Sequence, residues 1–309
     1  MIRNFRNADL PLLHRIWCEH WDSIGLTTRA TSVQFEQAIF SRLFFNPADL
    51  LISEVDGQIV GWCQRFLSRS SSNELLVPYL LLDVTRQESD QMKTVNELLD
   101  ACSAASTYSS DVTLVVGTGH EWDLGYCGLD PLVTGFGIPD IDHALSRSLS
   151  ESGLTIRNQI RWLQLAVENA QPVISREFMQ FRRSCQVTYQ PLKSENLRRS
   201  QSLSHLDAKQ IQLTDRMGRG IAQLEFFLSE LQAEVMSPTH CLLRFAEENY
   251  ECGLKPEQLY LISTLVRDSK IHQFDKLNIA IPDHCDSIFT DQLRSLQFQE
   301  QLTGSTWER

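Results

Sequence analysis

Leu51-Ile52-Ser53-Glu54-Val55-Asp56-Gly57-Gln58-Ile59-Val60-Gly61-Trp62 reads as two short strands joined by a tight turn. Asp-Gly between β-branched and aromatic residues suits a two-residue turn whose central positions need positive φ. Before this hairpin, Leu10, Leu13, Ile16, Trp17, His20 and Trp21 recur at helical spacing, with Asp9 as the predicted cap and Pro11 in the first turn. A second helix is predicted after Thr31 and Ser32, with Phe35, Ala38, Ile39 and Leu43 on one face. After the hairpin, residues 75–84 form an apolar run expected to be one strand, in which Pro78 favours an edge or a bulge. Residues 90–106 predict a helix with Val95, Leu98, Leu99 and Cys102 inward, and residues 112–116 a short buried strand. A loop rich in glycine and aromatics then leads to a helix over 140–152, stopped by Gly153, and to a strand over 156–167.

The same order starts again after residues 169–172. Residues 211–215 and 221–228 flank Met217-Gly218-Arg219-Gly220 as a second hairpin. A strand (239–246), a helix (256–268), a strand around Leu277, Ile279 and Ile281, and a helix (286–296) follow. Matching elements lie about 165 residues apart, a spacing that reads as domain duplication and not as a solenoid. The expected division is residues 1–168, a linker over 169–185, and residues 186–309. Little chain remains after Leu296, so a final hairpin in the second copy is expected to be short or missing.

The bulk chemistry limits the partners. Apolar residues make up 42 % of the 309 and charged residues 22 %, enough for a core in each copy. A net charge of −11 repels phosphate backbones, so neither nucleic acid nor an anionic membrane is expected. The eight cysteines are scattered without a C-x-x-C pair, which argues against a zinc ribbon or a disulfide framework. No apolar run reaches ~18 residues, and the first residues carry no signal-peptide core, so a cytoplasmic location is expected.

The element order resembles the GNAT (GCN5-related N-acetyltransferase) superfamily, in its tandem two-domain form. Ile2-Arg3-Asn4-Phe5-Arg6-Asn7-Ala8-Asp9 looks like that group's opening strand and helix start. Gly125-Tyr126-Cys127-Gly128-Leu129 with Gly135-Phe136-Gly137 is similar to its aromatic-glycine stretch, and residues 175–183 resemble the lead into a second domain. The resemblance implies a mixed α/β fold of two tandem GNAT-like acyl-CoA N-acyltransferase domains, each a mixed, mostly antiparallel sheet flanked by helices. It implies acetyl-CoA as co-substrate and a small-molecule or peptide amine as acceptor.

In that family the pantetheine arm pairs with the fourth strand, here at Leu82 and Val84, and the pyrophosphate sits on amides at the next helix start, where unpaired N–H groups favour an anion. The family's phosphate loop carries glycines so that the backbone can approach closely. In the first copy the matching positions are Asp90, Lys93 and Val95, and Glu88 and Asp90 near the helix start satisfy its amides and repel phosphate, so this loop is expected to be unfit for CoA. In the second they are Tyr250, Gly253 and Lys255, so that Gly253, Leu254 and Lys255 are the candidate phosphate contacts, with Pro256 removing one donor. Such erosion leaves a second expectation open, a GNAT-fold protein that binds a ligand or partner without catalysis.

Acyl transfer needs a deprotonated amine, a polarised carbonyl and a proton for the leaving thiolate. The resemblance makes Tyr126 the candidate acid, against the alternative of a loop aromatic packed on the core. Glu54 is the candidate base, acting through water, against that of a solvated carboxylate. His120 and Glu121 lie at a strand end where loops carry function, against the favoured alternative of a loop pair held by ordinary hydrogen bonds. His14 and Cys18, four apart on one helix, have metal-clamp spacing but share their stripe with Trp17 and Trp21, so packing is the better account.

Overall fold

The computed structural model describes residues 1–28, 30–68, 71, 73–104, 112–117, 124–129, 131, 135–170, 175–193, 197–229, 239–245 and 248–309. The Asp56-Gly57 hairpin forms as expected. Strand β1 (Ile2–Asn4) pairs with β2 (Leu50–Val55), β2 pairs antiparallel with β3 (Gln58–Gln64), and the turn residues sit at φ 51° and 75°. Both faces of this sheet are covered. Ile52, Trp62 and Leu81 enter a core with α1 (Leu10–Ser23) and α2 (Ser32–Phe35). Leu51, Cys63, Leu80 and Leu82 enter another with α3 (Glu88–Ser103) and α4 (His143–Glu151). The predicted stripe of α3 is the buried one, and the alternation along each strand is why neighbours go to opposite cores.

Local expectations fail where a side chain finds a better partner. Thr31 caps α2 through the Gln34 N–H, but Asp9 does not cap α1. Its carboxylate instead accepts from the Arg3 guanidinium at 2.8 and 2.9 Å and from the Arg6 N–H at 2.7 Å. The second helix ends at Phe40 after a widened turn, leaving Leu43 81 % exposed, not inward. Residues 75–84 are two strands. Following β4 (Phe66–Leu67), β5 (Glu74–Val77) runs parallel to β7 (Thr113–Val116), while beyond Pro78 β6 (Leu80–Leu82) turns back to β3.

The first copy continues through β8 (Ile138–Pro139), α4 and β9 (Thr155–Ala166). Within 169–185 a helix forms, α5 (Arg176–Ser184), capped by Ser175 through the Phe178 N–H. Then come β10 (Cys185–Pro191), α6 (Leu197–Ser202), and the second hairpin, β11 (Leu206–Asp215) with β12 (Gly220–Ser229). Strand β13 (His240–Arg244), α7 (Glu248–Cys252), α8 (Pro256–Arg267), α9 (Ser269–His272), β14 (Lys276–Pro282), α10 (Ser287–Ser295) and β15 (Gln299–Glu308) complete the chain. The second copy ends in one long strand, without a final hairpin.

That strand joins the copies. β9, from the first copy, lies between β14 and β15 of the second, pairing antiparallel with both. β15 in turn reaches β7 of the first copy through Trp307↔Val116 and Glu308↔Val115. Each copy thus supplies the strand that fills the other's open edge. Among the described residues this produces one eleven-stranded sheet, ordered β10-β11-β12-β13-β14-β9-β15-β7-β5-β4 with β8 beside β15. No helix among the described residues is long and apolar enough to cross a membrane.

Candidate functional site

In each copy a pair of parallel strands starts together and then parts. In the first, pairing of β5 with β7 ends where the Gly117 N–H donates to the Val77 carbonyl at 2.8 Å. Proline 78 then turns the chain toward β3, so Leu80–Leu82 have no second strand partner among the described residues. In the second, β13 leaves β14 after Leu242↔Asn278, and Leu243 and Arg244 follow β12 alone. A parted edge presents N–H and C=O groups in an extended row, which an extended amide-bearing ligand can join. Leu82 stands on the first edge opposite Gly61, and half-buried Val84 follows it.

The helix after each opening starts differently. Asp90, Lys93 and Val95, expected in a phosphate loop, lie inside α3, which begins at Glu88. The first copy therefore has no glycine loop at those positions. Gln87 provides no side-chain cap to α3, and the Glu88 carboxylate is paired with Arg147. The first-turn amides keep their dipole and meet no capping side chain.

In the second copy the corresponding amides are taken. The Leu254 N–H donates to Gln292 Oε1 at 2.7 Å, and Gln292 Nε2 donates to the Leu254 carbonyl at 2.8 Å. The Lys255 N–H donates to Gln258 Oε1 at 2.9 Å, and Pro256 has none to give. Gly253 has φ 79°, and a Cβ there would press on Gln292 Oε1 and Ile288 Cγ2 at 3.1 Å. Tyr250 packs on Phe289 with centroids 5.3 Å apart. Displacing Gln292 forfeits two hydrogen bonds, about 2 kcal/mol, or roughly thirtyfold in affinity for an incoming phosphate. The first opening leaves its helix start without a side-chain cap but with Glu88 and Asp90 in the first turn, whereas the second is closed by Gln292. Gln292→Ala is accordingly expected to lower stability by about 1–2 kcal/mol, measurable by thermal melts.

Tyr126 lies in an aromatic cluster on the α1 face of the first copy. Its ring is 5.9 Å from Trp17 and 4.9 Å from Tyr79, and its hydroxyl donates to Gln64 Oε1 at 2.6 Å. Burial pushes its phenol far above the ordinary value, so it holds its proton at neutral pH. Buried Arg42 fixes this segment, its two terminal nitrogens donating to the Leu124 and Gly125 carbonyls, each at 2.7 Å.

Glu54 is elsewhere. Its carboxylate accepts from Arg3 Nε at 2.6 Å, near the turn of the hairpin, where Glu54 pairs with Ile59. Gln64, the partner of Tyr126, pairs with Leu50 at the open end of the hairpin. Four residues of strand separate these positions, about 13 Å at roughly 3.3 Å each. The structure does not bring the two together. His120 and Glu121 lie outside the described residues. His14 Nε2 is 2.7 Å from the Ala30 carbonyl and 3.6 Å from Cys18 Sγ, an arrangement of packing and capping.

Sequence reading passed over Arg42, Gln64, His205 and Gln292, each a long-range contact without a local signature. His205 Nε2 meets the Cys127 carbonyl at 2.6 Å, tying the second copy to the Tyr126 segment. Burial lowers its pKa from 6.5 to about 4. Between those values the unfolded chain binds a proton that the folded chain refuses, so stability falls as pH drops from 6.5 toward 4. The loss reaches about 3 kcal/mol, present in full below pH 4. Urea melts at pH 7 and pH 4.5 should show this drop, and His205→Gln should flatten it.

No family model matches the sequence, and no curated protein matches it. Solved structures do match in shape. A GCN5-related N-acetyltransferase from Sphaerobacter thermophilus superposes with TM-score 0.61 at 9 % identity, covering 100 % of this chain and 95 % of that one. A tandem GNAT protein from the clavulanic acid biosynthesis pathway gives 0.61 at 11 %, covering 100 % and 98 %. N-myristoyltransferase from Saccharomyces cerevisiae, solved with bound myristoyl-CoA, gives 0.56 at 8 %, covering 100 % and 78 %. Parted parallel strands, a helix start beside each opening, and superposition over the full chain converge on one conclusion: this protein has the GNAT fold in its tandem form.

Proposed function

We propose that the chain is an acyl-CoA-dependent N-acyltransferase, with acetyl-CoA as the donor to test first and a small-molecule or peptide amine as acceptor. The observation supporting this reading is the parting of the chain from β7 after Val77, where β5 ends and β6 turns to β3, with an uncapped helix start following it. In this reading Leu82 and Val84 pair with the pantetheine arm, and the first turn of α3 together with Arg86 receives the pyrophosphate. When bound, the donor supplies an activated thioester. Tyr126 is the proposed proton donor to the leaving thiolate, released from Gln64 on acceptor binding. Glu54, held by Arg3 at the far end of the hairpin, cannot share that acceptor directly and would act through intervening water. Gly253, Leu254, Lys255 and Tyr250 form a second proposed cofactor contact, conditional on Gln292 leaving.

A second reading, a GNAT-fold protein that binds without transfer, draws support from the Gln292 cap and the buried Tyr126 hydroxyl. Titration with acetyl-CoA, followed by an amine screen comparing wild type with Tyr126→Phe, separates the two. The enzyme reading expects turnover that falls by about 10²-fold or more in the variant. Binding without turnover across a broad amine panel supports the second reading.

A further inference from the structure

A groove of about 670 Å³ lies beside the second copy, between α5, α8 and the end of β9. It is at the opposite end of β14 from the strand opening, because Val167 donates to the Asp275 carbonyl where β14 begins. Leu165, Phe178, Tyr260 and Ile262 give it an apolar lining, and its volume falls within the usual range for ligand sites. Its other lining residues include Arg182, Arg267 and Lys270, three cations on one groove of a chain of net charge −11. Arg267 is partly neutralised by Asp268, whose carboxylate also accepts from the Tyr189 hydroxyl. Arg182 and Lys270 are exposed and enter no ion pair found among the described residues. Ser263, also lining the groove, has a buried hydroxyl with no hydrogen-bond partner.

We propose that this groove binds a free long-chain fatty acid, its chain on the apolar lining and its carboxylate between Arg182 and Lys270. An apolar slot alone would accept many occupants; the cationic residues select an amphiphile with an anionic head. The site is independent of CoA binding at the strand openings.

The test is displacement of a fluorescent fatty acid from the full-length protein by monomeric palmitate. One site per chain is expected, with each pair of methylenes removed from the chain weakening binding roughly tenfold. Arg182→Glu with Lys270→Glu should weaken palmitate binding at least tenfold but leave the neutral alcohol of the same length unchanged. Arg182→Gln with Lys270→Gln, a milder pair of surface changes, should show the same selectivity to a smaller degree. Saturating CoA should not displace the probe. Absence of palmitate binding, equal binding by wild type and both variants, or complete displacement by CoA overturns the proposal. Cosedimentation with anionic vesicles in the absence of monomer binding also overturns it, in favour of membrane docking.

Discussion

Ending the chain after Phe298 is expected to leave neither copy folded. The deletion removes β15, whose pairing runs from Gln299↔Gln164 to Glu308↔Thr155 on one side and reaches β7 on the other. Trp307, buried with the α3 core of the first copy, goes with it. A domain is typically held by only about 5–15 kcal/mol, and burying one large aromatic accounts for about 3–5 kcal/mol of such a balance. Loss of that side chain together with a central strand's hydrogen bonds exceeds what the remaining sheet can supply. Circular dichroism during a urea titration should show no cooperative transition. A sharp transition near the wild-type midpoint would mean that β15 is peripheral.

Gly125→Ala is the point substitution with the largest expected effect. Gly125 sits at φ 93°, outside ordinary L-residue territory, and an added Cβ would occupy the space of the Arg42 guanidinium. Arg42 must then leave the Leu124 and Gly125 carbonyls, giving up two charge-assisted hydrogen bonds in a buried setting. Backbone strain of about 1–2 kcal/mol and the lost bonds together predict about 3–5 kcal/mol of destabilisation. Thermal melts measure it, and a change below 1 kcal/mol would show that the Arg42 clamp contributes little. Tyr126, next in sequence, should become accessible to solvent in the same variant, as ultraviolet difference spectra would register.

Local pattern made much of the fold legible. Asp56-Gly57 announced its hairpin because the turn needs those residue types, and Val95, Leu98, Leu99 and Cys102 announced a buried helix face. The duplicated order was equally readable. What could not be read is the join between copies. β15, Gln299-Glu300-Gln301-Leu302-Thr303-Gly304-Ser305-Thr306-Trp307-Glu308, is mostly polar, yet it fills a central position because flanking strands bury its end. Its neighbours come from distant sequence, so nothing local marks it. The candidate site was legible only in its local residues. The glycine at 253 was visible, but its occupation by Gln292 depends on a helix 38 residues onward. The start of α3 moved earlier than the family pattern implied, since Glu88-Ser89-Asp90 continues as helix without a glycine to stop it.

The most direct test of the proposed activity is calorimetric titration of the full chain with acetyl-CoA, run beside Arg86→Glu. Arg86 is partly exposed and pairs with Asp83 and Gln58, so reversing its charge should leave the fold intact. One site per chain is expected in the wild type, weakened at least tenfold by Arg86→Glu. Heat of binding unchanged by the variant would move the site away from α3, and no heat at millimolar acetyl-CoA would contradict acyl-CoA use altogether.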